Sequence, residues 1–173
     1  MHHAALRSQE LNPAKLAMLF RKQFQRCNVK NGETIAIVSD LGTRREYIQS
    51  AFAAADELGA DIYEMCVNSM PSWTKVGVPT IGKCKGTLEA AMKADLIVIF
   101  HVPLFSKWLK DVRDVGTRVL MIIDAPDDLE QLMAPPGLKE ALKYAEQRYR
   151  KTREVRVISE AGTDFTYSCG EIR

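Results

Sequence analysis

The side chains from which this chain could build a proton-transfer or metal site are few and dispersed. His101, Asp40 and Asp124 each follow a short aliphatic or β-branched run: Ile35-Ala36-Ile37-Val38-Ser39, Leu96-Ile97-Val98-Ile99-Phe100 and Val119-Leu120-Met121-Ile122-Ile123. An imidazole between two carboxylates can share a proton or hold a divalent metal, because both chemistries need convergent donors of these types. The same residues have plainer uses: Asp40 and Asp124 as caps of helices or turns, and His101, close to Pro103, as a hydrogen-bonded loop residue. Thr43 closes Asp40-Leu41-Gly42-Thr43, a turn before a helix whose first N–H groups could receive an anion. That turn is not a G-x-G-x-x-G, and the chain contains no G-x-x-x-x-G-K-[ST], so a nucleotide phosphate site is not indicated. Cys66 and Asn68 follow another strand-like run, and Cys66 has no cationic neighbour to make it a nucleophile. Trp73, Phe100, Phe105 and Trp108 read as packing residues before they read as a ring platform. A catalytic metal needs about three protein ligands; apart from His2 and His3 at the extreme start, His101 is the one histidine, so no metal site is expected within this chain.

The elements that must position these residues alternate. Asn12-Pro13 opens a helix to about Cys27, with Leu16, Met18, Leu19 and Phe24 as its apolar stripe. Asn31-Gly32 turns the chain into the first strand, and an Ala-rich helix from Arg44 to Leu58 ends at Gly59. Further strands are expected at Asp61–Val67, Leu96–Phe100, Arg118–Ile123 and Val155–Ile158. Helices are expected around residues 87–92, 106–115, 127–133 and 138–151. Strands joined by helix-length crossovers imply a doubly wound α/β domain, Rossmann-like, with a mostly parallel five-stranded sheet, helices on both faces and the order 2-1-3-4-5. In such a sheet ligands lie beyond the carboxyl ends of the strands, where Asp40, Thr43, His101 and Asp124 fall. Residues Thr163 to Arg173 alternate like the start of a further element with nothing after it to pair with, which suggests a longer polypeptide.

The bulk numbers agree with one such domain. The 173 residues are 46% hydrophobic and 27% charged, with a net charge of +2, too balanced to favour nucleic acid or an anionic membrane and better suited to a small-molecule substrate. Four cysteines without a C-x-x-C pair point to reduced thiols in the cytoplasm. No apolar stretch has the length of a signal peptide core or a membrane span.

Ala161-Gly162-Thr163-Asp164-Phe165, after a helix and a short strand, resembles the Gly-(Thr/Ser)-Asp segment that ends the amino-terminal domain in two related groups. These are the aminopeptidase T-type metallopeptidases and the 2,5-dihydroxypyridine 5,6-dioxygenases. The similarity runs through Ala94-Asp95-Leu96-Ile97-Val98, Gly116-Thr117-Arg118-Val119-Leu120 and Pro126, covers most of the chain from about Asn31, and looks closest to the dioxygenases. It implies a two-domain enzyme, with residues 1–160 as the amino-terminal α/β domain and 161–173 as the start of a carboxy-terminal domain that holds the metal ligands. It further implies no cofactor in this part of the chain, Fe(II) in the full-length protein (Zn or Co in the peptidase alternative), a dihydroxylated pyridine-like ring as substrate, and a homo-oligomer. The dioxygenases resemble one another in a His-Ser-Pro segment after the third strand. Phe105-Ser106-Lys107 stand there in this chain, so Ser106 is kept, the acid/base histidine is not, and His101 lies four residues earlier. His101 and Ser106 are thus the catalytic candidates. Asp164 is expected either to fix the exit turn by bonding nearby backbone N–H groups or to orient groups of the further domain toward the cleft. A stand-alone small-molecule-binding module remains the alternative of a different class.

Overall fold

The computed structural model describes residues 12–68 and 81–170; Trp73 lies outside them. The chain divides into two compact units, Met1–Met133 and Ala134–Arg173.

The first unit opens with α1 (Pro13–Arg26), which starts where Asn12 accepts the N–H groups of Ala14 and Lys15 at 3.1 and 3.2 Å. Its buried stripe is Leu16, Leu19, Phe20 and Phe24, spaced for one helical face. Met18, expected in that stripe, is 39% exposed, because its position falls on the next face round the helix. There follow β1 (Thr34–Asp40), α2 (Arg45–Leu58), β2 (Asp61–Val67), α3 (Thr87–Met92), β3 (Leu96–Ile99), α4 (Lys107–Asp114), β4 (Arg118–Met121) and α5 (Pro126–Gln131). At the end of α2, Gly59 takes φ +68°, the left-handed cap that a side chain would strain.

The strands form a parallel four-stranded sheet in the order β2-β1-β3-β4. The period of two along each strand sorts their side chains between two cores. Ile35, Ile37, Leu96 and Val98 face α1 and α2, together with Ile122 and Leu129. Ala36, Val38, Ile97 and Ile99 face the opposite way, toward Ala91 of α3 and Trp108 and Val112 of α4. Burial on both faces explains why these strands read as unbroken aliphatic runs.

The second unit contains α6 (Leu138–Lys151) and the antiparallel pair β5 (Glu154–Ile158) and β6 (Asp164–Ser168). The five-stranded sheet expected from sequence is therefore a four-stranded sheet plus a two-stranded hairpin. Val155-Arg156-Val157 alternates apolar and polar, as a half-exposed antiparallel strand does, and lacks the continuous apolar run that a doubly buried parallel strand requires. The segment expected to stand unpaired folds back on β5, with Val157 opposite Phe165 and Val155 opposite Tyr167. Phe165 and Tyr167 stack with centroids 6.3 Å apart. No helix among the described residues is long and apolar enough to cross a membrane.

Candidate functional site

Strand order fixes where a crevice opens. From β1 the chain enters α2 on one face and returns as β2 on one side; from β3 it enters α4 on the other face and returns as β4 on the opposite side. The connections leaving β1 and β3 therefore diverge, and this is the point at which doubly wound sheets bind ligands. Asp40 ends β1, and His101 lies two residues past β3.

Register brings these two together. Val38 is opposite Ile99, and Phe100 N–H donates to the Val38 carbonyl at 3.2 Å, so pairing runs to the strand ends. Phe100 turns toward the α1 and α2 face, its ring 6.0 Å from Phe20 and 5.8 Å from Tyr47. Alternation then directs His101 to the other face, the one Asp40 shares through Ala36 and Val38. Burial lowers the His101 pKa from its ordinary value, and the Asp40 carboxylate works against that with a smaller upward pull. The imidazole, 7% exposed, is therefore neutral at pH 7.

The Asp40 turn is tightly bonded. Asp40 Oδ1 accepts from Gly42 N–H at 2.9 Å and from the Thr43 hydroxyl at 3.1 Å, and Asp40 N–H donates to Thr43 Oγ1 at 2.9 Å. The capping use of Asp40 is present. Asp124 is placed by α2, since the Tyr47 hydroxyl donates to the Asp124 carbonyl oxygen at 2.6 Å. Ser106, buried, is the N-cap residue of α4 without a side-chain capping bond. Phe105 is 86% exposed at φ +59°, neither core nor pocket wall. Trp108 is core, and Cys66 and Asn68 are exposed.

Sequence reasoning missed one group. Ser39 Oγ donates to Glu64, and Arg45, first residue of α2, reaches the same carboxylate with Nη1 at 3.1 and 3.4 Å from its two oxygens. The signal was available: a glutamate between Tyr63 and Met65 in an otherwise apolar strand needs a partner. This trio ties β1, β2 and the start of α2 together just below the Asp40 turn.

Asp164 belongs to the second unit. Its carboxylate makes a two-point pair with Arg156, both contacts at 2.8 Å, which holds the Asp164 pKa below its ordinary value. The exit turn is fixed instead by Ser159, whose carbonyl accepts from Gly162 N–H at 3.1 Å and whose hydroxyl accepts from Thr163 N–H at 3.3 Å. A cavity of 520 Å³ lies between α4 and β4, lined by Pro103, Leu104, Leu109, Arg113, Val119 and Met121. It includes none of Asp40, Thr43, His101 or Asp124, and the strand-end crevice, with its titratable pair at the switch in strand order, has the stronger chemical claim. Among the described residues no group of three or more His, Cys, Asp or Glu is placed to hold a metal ion.

A parallel sheet wound on both faces, with an acidic turn and a buried imidazole where its connections diverge, defines a doubly wound α/β domain with its crevice at the β1/β3 end. The chain belongs to the 2,5-dihydroxypyridine 5,6-dioxygenase (NicX) family, which it matches over residues 15–173. The match falls on the dioxygenase side of the resemblance and not on the aminopeptidase T side. The chain is 24% identical over 166 residues to the 2,5-dihydroxypyridine 5,6-dioxygenase of Pseudomonas putida strain KT2440, covering 91% of this chain and 47% of that protein. The solved structure of the 2,5-dihydroxypyridine dioxygenase of Pseudomonas putida KT2440 superposes with a TM-score of 0.76 at 23% identity, over 92% of this chain and 48% of that one. The shared fold is thus clear, and the chain spans about half the length of these relatives.

Proposed function

We propose that this chain is the amino-terminal domain of a non-haem Fe(II) ring-cleaving dioxygenase acting on a dihydroxylated pyridine-like ring. The observation that carries the reading is the family match across residues 15–173. In this proposal residues 1–160 form the α/β domain and 161–173 begin a carboxy-terminal domain. The described residues do not fit an iron site, since no cluster of the needed ligands is present among them; the ligands are assigned to the further domain. What this chain contributes is a wall of the cleft at the β1/β3 strand ends, where Asp40, Thr43, His101, Ser106 and Asp124 would meet the ring. A neutral imidazole can take a proton from a ring hydroxyl, and the rigid Asp40 turn can keep that hydroxyl in register with it. Asp164, paired with Arg156, would orient groups of the further domain toward the cleft. A homo-oligomer in a cytoplasmic setting goes with the reading, and the four cysteines are free thiols.

The test is direct binding. When 2,5-dihydroxypyridine is added to the isotopically labelled chain, amide shifts are expected to cluster at residues 40–43, 101 and 106. The full product of the reading frame containing these 173 residues is expected to take up oxygen with Fe(II) and this ring. Shifts confined to the β4 cavity, or no uptake with any dihydroxylated pyridine, would overturn the proposal.

A further inference from the structure

We propose that β4 is a self-pairing edge: a second copy of this chain lies antiparallel along it, about a two-fold axis at Met121, and joins the two four-stranded sheets into one. A homo-oligomer goes with the reading above; the inference goes beyond it by assigning the face, and it holds whatever ring the crevice binds.

Backbone alternation shows what the edge offers. Arg118 N–H donates to the Asp95 carbonyl at 3.1 Å and Ile122 N–H to the Ile99 carbonyl at 2.9 Å, so the N–H groups of Arg118, Leu120 and Ile122 point toward β3. Those of Val119, Met121 and Ile123 point the other way. Among the described residues no strand pairs with that side. An open row of donors and acceptors is a template for another strand unless charge or proline guards it. The opposite edge of the sheet is guarded, since β2 carries Asp61 and Glu64. From Val119 to Ile123 the β4 edge is apolar at every position, and Met121 and Ile123 are each 39% exposed.

The sequence of this edge decides both the occupant and the register. Antiparallel pairing through the outward groups sets Val119, Met121 and Ile123 of one copy opposite members of the same set in the other. With Met121 opposite its own copy, Val119 meets Ile123 and Leu120 meets Ile122, so the whole apolar run is covered. Arg118, ion-paired with Glu33 yet 32% exposed, then comes opposite Asp124 at each end. With Leu120 at the axis instead, Arg118 would face Ile122 and Ile123 would lie past the apolar run. A segment that complements itself about one point, in apolar character and in charge, is what a two-fold interface requires. The faces match as well. Leu120 and Ile122 belong to the core under α1 and α2, whereas Val119 and Met121 line the cavity between α4 and β4. The second copy brings its Met121 and Ile123 to that cavity side, where Leu104 is exposed.

Light scattering on the 173-residue chain at roughly 100 μM, where a micromolar interface is filled, is expected to read a dimer that dissociates on dilution. Hydrogen exchange reads the edge itself. The amides of Val119, Met121 and Ile123 should be slow in the dimer and speed up on dilution, while those of Arg118, Leu120 and Ile122 stay protected at every concentration. Met121→Lys sets two ammonium groups together at the axis, and Asp124→Lys turns both end pairs into like charges; each should weaken the dimer at least about tenfold. Leu142→Lys, at an exposed position of α6 in the second unit, should leave it unchanged. A chain that is monomeric at that concentration overturns the proposal, and so does a dimer whose outward amides exchange as fast as in the monomer. A dimer broken by Leu142→Lys and not by Met121→Lys overturns it too, by moving the contact to the second unit. If Met121→Lys does not fold, the wild-type amide pattern decides.

Discussion

Arg118, the first residue of β4, offers the clearest measurement of what holds the sheet at the end opposite the crevice. Its Nε donates to the Asp95 carbonyl at 3.2 Å, Nη1 to the carbonyls of Cys27 and Asn28 at 2.5 and 2.8 Å, and Nη2 to Glu33 Oε2 at 2.5 Å. Glu33 also receives Lys30 N–H at 3.0 Å. One guanidinium thus ties the end of α1, the approach to β1 and the starts of β3 and β4. Arg118→Met removes all four bonds. The carbonyls can be partly rehydrated, and the ion pair, with side chains 32% and 22% exposed, is only partly shielded from water. At roughly 0.5–1 kcal/mol for each bond, the expected loss is about 2–4 kcal/mol. Arg118→Lys keeps the charge but not the fork, and about half that loss is expected. Urea unfolding at pH 7, followed by the fluorescence of the buried Trp108, reports the first unit. The slope against urea should be unchanged, since the surface exposed on unfolding is the same. A loss under about 0.5 kcal/mol for Arg118→Met would show that water replaces the clamp fully and that the hydrogen-bond reasoning is wrong.

Three further outcomes are expected. His101 lies below its ordinary pKa of 6.5 in the folded chain because it is buried, so the unfolded chain takes up its proton first as pH falls. Its contribution to stability is complete above about 6.5 and declines as pH drops toward the folded value, and His101→Gln should flatten that part of the stability profile. Cys27 lies on the other side: burial raises its pKa above 9.0, against a smaller pull from Arg118. Stability should therefore fall as pH rises past 9.0 and do so less in Cys27→Ala. Tyr47→Phe deletes the bond to the Asp124 carbonyl and should cost about 0.5–1.5 kcal/mol, with faster amide exchange at residues 124 and 125; unchanged exchange there would mean that α2 does not hold the loop after β4.

The parallel sheet was legible because its strands carry an unambiguous pattern. Ile35–Val38 and Leu96–Ile99 are aliphatic at every position and buried at every position, and only a strand covered on both faces needs that. Helix-length connections then leave few possible orders. The second unit was harder to read for the same reason in reverse. Val155–Ile158 is short and alternating, and nothing local says whether its neighbour is a parallel strand far back in the chain or an antiparallel one ten residues on. The turn decides it: Ser159 and Gly162, at φ +95°, bring β6 back onto β5. Met18 shows the finer limit, since an apolar residue adjacent to a stripe cannot be told from one within it until the helix is docked.

The site was legible to the extent that topology determines it. Asp40, Thr43 and His101 were expected at strand ends because a period of two and a count of strands suffice to put them there, and the register of β1 and β3 carries Asp40 and His101 to the same end of the sheet, at the switch between the two strands. What sequence could not give was the orientation of each side chain. Phe100 and His101 are adjacent, and sequence alone does not say which faces the crevice; the choice follows from Phe20 and Tyr47, far earlier in the chain, which build an aromatic pocket for Phe100. Glu64 makes the same point from the other direction. A carboxylate within a strand signals that a partner exists, but its partners Ser39 and Arg45 become visible only once β1 and β2 are in register. The chemistry of the crevice is thus specified by residues that never touch it, through the packing that decides which way its own residues turn.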